Sequence, residues 1–409
     1  MAVFNFDDPD QYVDGSPYHE FARLRREAPF SWHIASRNTS DGFWLVTKHC
    51  DVMAISKQPD LFATNAPLLD EPLPQDLWPS FPALAMIADN LMTFNRQKHL
   101  IFRSIANTVF SSSKILLKRE RIRAICNETI LQASKNHRFD FATDVALKIP
   151  VEIVLGEFLG IPRFDLDKVT RCVLTINAMD DTVFRTDGKS FFEAADELFD
   201  YGTKLMRKLK ARPSDSLLSE LIHSTEIAGS SEEQLFLTYW FPLTAGAFDT
   251  TASVIAGGVH ALLSFPRQLD QLRQDASAIP TTVDEMVRWV SPVIYFRRTA
   301  TSDAEFNGNR IRDGQRIILC YASANRDEDV FVNPDSFEVK RSPNNHISFG
   351  YGSHFCLGAR LALLIVRVFL EEFLAHMPEI EIDGAIVRTR SAWMNRIRYM
   401  PVQRLSCRA

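Results

Sequence analysis

The longest apolar stretch of this chain constrains its fold more than any other feature. It runs from Leu235 to Phe265 and reads "LFLTYWFPLTAGAFDTTASVIAGGVHALLSF". By length alone, this stretch could cross a lipid bilayer as a helix. However, Asp249 lies at its centre beside Thr250 and Thr251, and a carboxylate inside a bilayer is costly. We therefore predict one helix of about 45 Å, at 1.5 Å per residue, that runs through the middle of a large α-helical protein.

A buried carboxylate in the middle of such a helix needs a function. Moving a charge out of water without compensation is unfavourable. The polar cluster "AGAFDTT" around Asp249 is therefore predicted to belong to a functional site.

The rest of the chain has mostly helical periodicity and only short strand-like stretches. Apolar residues recur at helical spacing in "SPYHEFARLRREAPF" and in "SFFEAADELFDYGTKLMRKLKA". The strand-like stretches are "GFWLVTKH", "QRIILCYAS" and "RIRYMPVQRL". No Gly/Ser-rich linker, low-complexity run or internal repeat divides the 409 residues. We predict a mainly α fold with small β-sheets, formed by residues 1–409 as a single domain.

Charge, the N-terminal sequence and the cysteine spacing argue against several classes of protein. A net charge of −5, spread along the chain, does not favour nucleic-acid binding. The N-terminal "MAVFNFDDPDQYVDG" has no basic region followed by an apolar core, so we predict no signal peptide, no membrane anchor and a cytoplasmic location. The 6 cysteines lack CxxC spacing, which argues against a disulfide framework, a zinc ribbon and an iron–sulfur cluster.

A glycine-rich loop, "SFGYGSHFCLG", places Cys356 directly before a long apolar run. Taken alone, a single cysteine is more often a packed core residue than a ligand. The glycines of this loop permit turns that other residues resist, and they let a flat group approach the backbone. Amide groups at the start of the following helix can donate hydrogen bonds to a sulfur anion. A thiolate held in this way can be a nucleophile, with His354 as a nearby base, or a metal ligand, and the loop alone leaves both interpretations open.

Four side chains with potential positive charge come from distant parts of the chain. His99 and Arg103 are four residues apart, so they share one face of a helix. Arg298 and His354 lie far away in sequence and can join them only if the fold brings the segments together. Such a set would suit a ligand with two carboxylates, and haem is such a ligand.

Several motifs together resemble one family. "FGYGSHFCLG" is similar to the haem-binding signature F-G-x-G-x-H-x-C-x-G of the cytochrome P450 superfamily, the haem-thiolate monooxygenases. "EMVR" is similar to the E-x-x-R pair of that family and contains Glu285 and Arg288, which by spacing alone could equally form a weak surface ion pair. "ANRDEDVF", "HLIFR" and "GAFDTT" resemble its A-N-R-D segment, its H-x-x-x-R pair and its oxygen-activating helix. The resemblance is to soluble bacterial members and extends over essentially the whole chain.

The resemblance implies a fold and a set of roles. The fold would be a triangular α-helical prism with a long central helix over haem b. Cys356 would be the proximal iron ligand, Asp249 and Thr250 the proton-delivery pair, and Glu285 with Arg288 a buried pair that locks the fold. The implied partners of the haem propionates are His99, Arg103, Arg298 and His354, and further haem contacts are Ala245, Phe349 and Gly350.

Two departures from the family pattern stand out. Ala247 occupies the place where the family usually has the second glycine of its oxygen groove, which adds a methyl group there. Leu363 and Ile365 replace residues that are usually charged after the cysteine loop. Neither departure removes a catalytic group.

The resemblance also implies a reaction and an electron source. The chain would hydroxylate an unactivated C–H bond with O₂, using electrons from a separate ferredoxin and ferredoxin reductase, since no reductase segment can be read in it. A peroxide-driven hydroxylase is one alternative, although such enzymes tend to lack the acid–alcohol pair that Asp249 and Thr250 provide. A non-enzymatic haem-thiolate gas sensor or carrier is another.

The substrate is expected to be a hydrophobic small molecule. Apolar residues at positions that would face the haem are Phe248, Val293, Ile294 and Phe296, although each can equally be plain core packing. The C-terminal "RSAWMNRIRYMPV" is similar to the end of the bacterial branch that oxidises sterol side chains, branched lipids and terpenoids.

The electron donor is expected to dock on the cysteine side of the haem. Positive charge in or near the relevant segments favours an acidic ferredoxin, although the same residues can be ordinary solvated cations. These residues are Arg96, Lys98, Arg103, Lys340, Arg341 and Arg360.

Overall fold

The computed structural model describes residues 4–36, 42–65, 79–178, 180–181, 183, 190–223 and 232–405. Most of these residues are helical, which confirms the mainly α prediction. The α-helices are α1 (Tyr18–Glu27), α2 (His49–Ser56), α3 (Ala83–Ala88), α4 (Arg96–Val109), α5 (Ser112–Leu117), α6 (Arg119–Ala133), α7 (Lys148–Pro150), α8 (Leu166–Asn177), α9 (Phe191–Ala211), α10 (Leu217–His223), α11 (Glu232–Ala245), α12 (Phe248–Ser264), α13 (Pro266–Gln274), α14 (Ile279–Val290), α15 (Tyr321–Ala324) and α16 (Ala359–His376). Two π-helical segments, Ala142–Leu147 and Val151–Phe158, flank α7.

Short strands form four small sheets in the described part of the chain. They are β1 (Phe30–His33), β2 (Phe43–Val46), β3 (Phe62–Ala63), β4 (Arg138–Asp140), β5 (Tyr295–Ala300), β6 (Ala304–Phe306), β7 (Asn309–Ile311), β8 (Arg316–Cys320), β9 (Ile380–Ile382), β10 (Val387–Arg388), β11 (Ile397–Tyr399) and β12 (Pro401–Arg404). The largest sheet has the order β1-β2-β8-β5-β3, and only its β2–β8 pair is parallel. The three stretches predicted as strands contain β2, β8, and β11 with β12.

The prediction of one long helix from residue 235 to residue 265 is wrong. The stretch forms two helices, because α11 ends at Ala245 and α12 begins only at Phe248. Among the described residues, no helix is both long and apolar enough to cross a bilayer.

A proline also lies inside α11, but it does not end the helix. Pro242 lies inside α11 and has no N–H group, so it cannot bond the carbonyl four residues earlier. That carbonyl belongs to Thr238 and accepts a hydrogen bond from the backbone N–H of Leu91 instead, at 3.3 Å. The helix therefore tolerates Pro242 because a neighbouring segment supplies the missing donor.

Helix α12 packs closely against α14 through two glycines. A Cβ atom on Gly258 would lie 2.1 Å from Cε of Met286, and one on Gly257 would lie 2.7 Å from Cγ2 of Val290. Neither position leaves room for a side chain. The close packing fixes α14, and with it Glu285 and Arg288, against α12.

Glu285 and Arg288 are fully buried rather than exposed at the surface. The Arg288 guanidinium donates two hydrogen bonds of 2.7 Å to the Glu285 carboxylate. Arg341 donates to the same carboxylate at 3.0 and 3.1 Å, and the Glu338 backbone N–H does so at 2.9 Å. The remaining guanidinium donors of Arg288 bind the carbonyls of Asn325, Pro334 and Ser336. The pair thus ties α14 to the long segment that leads to the Cys356 loop.

Candidate active site

A cavity of about 520 Å³ lies where α4, β5, the break between α11 and α12, and the Cys356 loop meet. Residues that the sequence analysis drew from distant segments line its wall together. They are His99, Arg103, Ala245, Thr250, Val293, Phe296, Arg298, Phe349, Gly350, His354 and Cys356. The convergence that the sequence analysis only supposed is therefore present in the fold.

The backbone of the cysteine loop depends on its glycines. Gly350 and Gly352 adopt φ angles of 73° and 77°, a region that other residues rarely enter. A Cβ atom on Gly352 would also lie 2.5 Å from the carbonyl oxygen of Ser56. The loop closes through a 2.8 Å hydrogen bond from the Cys356 N–H to the Phe349 carbonyl. This geometry holds the Cys356 side chain at the cavity wall.

The Cys356 thiol is accessible from the cavity, yet protein atoms surround it. Burial raises its pKa above the ordinary value, although the Gly358 N–H, the Arg103 guanidinium and the Ala359 N–H lower it in part. The free side chain therefore stays a thiol near neutral pH. A metal ion bound at Cys356 would hold the side chain as a thiolate, and the Gly358 and Ala359 N–H groups would stabilise that sulfur anion.

A nucleophilic role for Cys356 would need a base beside the thiol, and His354 does not provide one. The imidazole of His354 stacks on that of His99, with ring centroids 4.0 Å apart. Burial, followed by the positive charges of His99, Arg298 and Arg103, lowers the pKa of His354 to about 2. A base with so low a pKa cannot accept a proton near neutral pH. The geometry therefore favours the metal-ligand interpretation.

The four potential cations form an uncompensated cluster. Burial and the nearby Arg103 charge lower the pKa of His99 to about 4. Arg103 donates to Asn107 Oδ1 at 3.2 Å, and Arg298 donates to the Arg297 carbonyl at 2.9 Å. Within the residues that the structure describes, none of the four pairs with a carboxylate. A ligand that carries two carboxylates and a metal ion would satisfy both this cluster and Cys356, and haem fits that description.

At the break between α11 and α12, polar groups lie beside the cavity. The Thr250 and Thr251 hydroxyls donate to the carbonyls of Gly246 and Ala247, at 2.8 and 3.0 Å, because the interrupted helix leaves those carbonyls available. Thr250 lines the cavity. Since its hydroxyl hydrogen is engaged, its oxygen presents lone pairs and can accept a hydrogen bond from a water molecule or a ligand.

Asp249 does not line the cavity, although its neighbour Thr250 does. Its side chain is buried, with Oδ1 3.2 Å from Nε of Arg396 and Oδ2 accepting from Nδ2 of Asn177 at 3.1 Å. The position of this carboxylate in an apolar stretch predicts a function, but the sequence does not reveal either of its partners. A buried carboxylate calls for a cation, yet the chain has 46 lysines and arginines, so sequence alone could not identify Arg396.

Two residues predicted to face the substrate lie elsewhere. Phe248 is fully buried in the helical core, because it lies two positions from Thr250 and therefore on another side of the helix. Ile294 belongs to a separate buried apolar cluster that contains Phe6 and Tyr295. Only Val293 and Phe296 of the predicted set line the cavity. Apolar lining residues that the sequence analysis missed include Leu91, Phe158, Ile176, Phe241, Trp393 and Met394.

Most of the cations proposed for partner docking already have acidic partners. Lys98 pairs with Asp89 at 2.8 Å, Arg96 with Asp60 at 3.2 Å, and Lys340 with Asp275 at 2.6 Å. Arg341 is buried and pairs with Glu285, so it cannot belong to a docking surface. Arg360 is exposed at the start of α16 and hydrogen-bonds the Ser112 hydroxyl, with no carboxylate partner in the described part of the chain.

Known proteins with similar sequences and structures identify the family of this chain. The family model described as Cytochrome P450 matches residues 90–378. A steroid C26-monooxygenase of Rhodococcus jostii is 32% identical over 98% of this chain and 84% of its own length. The protein named cytochrome P450-terp, from a Pseudomonas species, is 33% identical over 92% of this chain and 91% of its own length. A cytochrome P450 of Mycobacterium marinum, solved in complex with pseudoionone, superposes with a TM-score of 0.86 at 28% identity, covering 98% of this chain and 100% of that one.

The match to the family model covers more than half of the chain, and the relatives named as monooxygenases align along nearly all of it. The family uses a haem-iron cofactor, which agrees with the cysteine loop and the cation cluster. The chain therefore belongs to the cytochrome P450 family and is a cytochrome P450 monooxygenase.

Proposed function

We propose that this chain binds haem b through Cys356 and hydroxylates a hydrophobic small molecule. The observation that carries the proposal is the convergence of Cys356 with two arginines and two histidines on one apolar cavity, where none of these four side chains pairs with a carboxylate among the described residues. His99, Arg103, Arg298 and His354 would hold the two propionates. When bound, the haem supplies O₂ activation and the transfer of one oxygen atom to a C–H bond, and thiolate ligation favours O–O cleavage.

The residues of the α11–α12 break would control protons. The Thr250 hydroxyl oxygen faces the cavity and can hold a water molecule there by accepting its hydrogen bond. Asp249 can exchange protons with water only when its contacts to Arg396 and Asn177 loosen, because it is buried behind Thr250. The mostly apolar wall keeps other water out, which limits proton leakage.

The proposed substrate is a steroid or a terpenoid. Side chains such as Leu91, Phe158 and Phe241 make the wall mostly apolar, and burial of apolar ligand surface contributes about 25 cal/mol per Å². The names of two relatives, a steroid C26-monooxygenase and a cytochrome P450-terp, support this class. A rigid or branched hydrocarbon skeleton would fill such a cavity better than a small polar molecule.

Product analysis under three conditions tests the proposed function. With NADPH, a ferredoxin, its reductase and a terpenoid or steroid that shifts the Soret band, we expect a product one oxygen atom heavier than the substrate. Hydrogen peroxide without the reductase system should give far less product. Efficient turnover with peroxide alone would favour the peroxide-driven alternative, and absence of product in both conditions would favour the gas sensor or carrier.

The proposed electron donor is an acidic ferredoxin that docks beside Arg360. Reversing this charge with Arg360→Glu should slow reduction by the ferredoxin about tenfold at low salt, because steering acts on the association rate. Lys98→Glu should have a smaller effect, since Asp89 already neutralises Lys98. Stopped-flow reduction at several salt concentrations measures both effects. Rates that are insensitive to salt and to both reversals would place the docking surface elsewhere.

A further inference from the structure

Tyr321 brings a phenol hydroxyl to the cysteine loop, beside the cation cluster. It follows β8, lines the cavity and is 2% exposed, because its ring packs in a buried apolar cluster. A Cβ atom on Gly350 would lie 3.8 Å from the Tyr321 oxygen and 3.7 Å from the His354 carbonyl oxygen. Gly350 also lines the cavity and has no side chain that could cover the hydroxyl. The hydroxyl of Tyr321 therefore lies where the cysteine loop meets the cavity.

Arg298 interacts with the same hydroxyl. Burial raises the pKa of Tyr321 above its ordinary value, and the positive charge of Arg298 and a hydrogen bond from its guanidinium lower that pKa in part. A guanidinium can only donate, so the phenol oxygen is the acceptor in this contact. The hydrogen of the hydroxyl is left to donate to another group.

The described part of the chain offers no acceptor for that hydrogen. Other buried tyrosines donate to backbone carbonyls, Tyr12 to that of Phe6 at 2.8 Å and Tyr239 to that of Phe102 at 2.7 Å. The Tyr321 hydroxyl has no such bond within the described residues, yet it is not among their fully enclosed polar atoms without a partner. Since Tyr321 lines the cavity, a molecule in the cavity can reach this hydroxyl and supply the acceptor.

A carboxylate that binds Arg298 is well placed to be this acceptor. Groups joined by a hydrogen bond lie about 3 Å apart, so a carboxylate on the guanidinium is also within reach of the phenol. A hydrogen bond from a hydroxyl to an ionised carboxylate is shorter and stronger than one between neutral groups. Arg298 is one of the proposed partners of the haem propionates.

We propose that Tyr321 is a further haem-binding residue, whose hydroxyl donates a hydrogen bond to the propionate that Arg298 binds. This inference rests on the proposed haem binding through Cys356. A neutral donor strengthens propionate binding without adding another positive charge to a cluster in which neighbouring charges already lower the pKa values of His99 and His354.

Haem release from the loaded protein measures this contact. Tyr321→Phe removes the hydroxyl but keeps the ring, whose centroid lies 6.1 Å from that of Phe296. Transfer of haem to an excess of apomyoglobin should be about tenfold faster in this variant than in the wild type, which corresponds to about 1.4 kcal/mol. Tyr12→Phe is the matched control, because it removes a buried hydroxyl outside the cavity and should release haem at the wild-type rate.

Two further measurements separate direct contact with the haem from an effect on packing or on Arg298. The propionate bending band in the resonance Raman spectrum should shift in Tyr321→Phe and stay in place in Tyr12→Phe. Tyr321→Phe should also accelerate haem release when it is added to Arg298→Gln. If Tyr321 acted only by orienting Arg298, its substitution would have no effect once Arg298 is replaced.

Three results would overturn the inference. The first is haem release from Tyr321→Phe at the rate of Tyr12→Phe, and the second is a propionate band that does not move. The third is an effect of Tyr321→Phe that disappears in the Arg298→Gln protein. Each of these results requires a haem-loaded protein and leaves the thiolate ligation and the product analysis unchanged, so failure of this inference and failure of the proposed function are distinguishable.

Discussion

Glu285→Ala is expected to destabilise the folded protein by about 3–5 kcal/mol, the usual cost of removing one partner from a buried ion pair. Two guanidinium groups, those of Arg288 and Arg341, would lose their common carboxylate in a buried position. The Glu338 N–H would lose its acceptor as well. Urea unfolding followed by circular dichroism measures the change in the free energy of unfolding.

Glu338→Ala is the matched control for this prediction. Its carboxylate lies 3.3 Å from the same Arg341 guanidinium but is 39% exposed. Exposed ion pairs contribute about 0–1 kcal/mol, so this variant should unfold close to the wild type. Similar losses of stability in both variants would show that the buried network does not hold α14 to the segment before the cysteine loop.

Asp249→Asn is expected to lower the turnover number by about 10²- to 10⁴-fold, the usual contribution of a general acid or base. The substitution keeps the size of the side chain but removes the carboxylate that Arg396 and Asn177 hold behind the cavity. Substrate binding, measured by the Soret shift, should change little, because Asp249 does not line the cavity. Turnover and its solvent isotope effect are the measurements.

Thr250→Ala should affect the same proton supply differently. Without the Thr250 hydroxyl at the cavity wall, reducing equivalents should leave as hydrogen peroxide instead of hydroxylated product. Ser253→Ala is the control, because the Ser253 hydroxyl bonds the Asp249 carbonyl inside the same helix, away from the cavity. Wild-type turnover in Asp249→Asn, together with unchanged product yield in Thr250→Ala, would remove both residues from the proton path.

The cysteine loop was predictable because its chemistry is local. Glycines at positive φ, the cysteine and the start of α16 all lie within residues 348–360, so their spacing carries the information. The strand-like stretches around β2 and β8 were predictable for the same reason. The break after Ala245 was not predictable, because the apolar run continues through it. The tolerance of Pro242 was not predictable either, because it depends on the distant Leu91 N–H.

The partners of Asp249 could not be predicted from the sequence. Asn177 belongs to α8 and Arg396 to the segment before β11, and neither lies in a motif that indicates contact with α12. Their pairing with Asp249 depends on tertiary packing alone. The wrong placement of Phe248 and Ile294 has a related cause, since either residue is equally suited to a core and to a substrate pocket.

The measurement that tests the central claim most directly is the absorption spectrum of the reduced protein with carbon monoxide. If the Cys356 thiolate ligates the haem iron, the wild type should show the strongly red-shifted Soret band of thiolate ligation, and Cys356→Ala should lack it. Cys126→Ala, which changes a buried cysteine outside the cavity, should retain it. A wild-type band like that of a histidine-ligated globin, or a thiolate band that persists in Cys356→Ala, would contradict the claim.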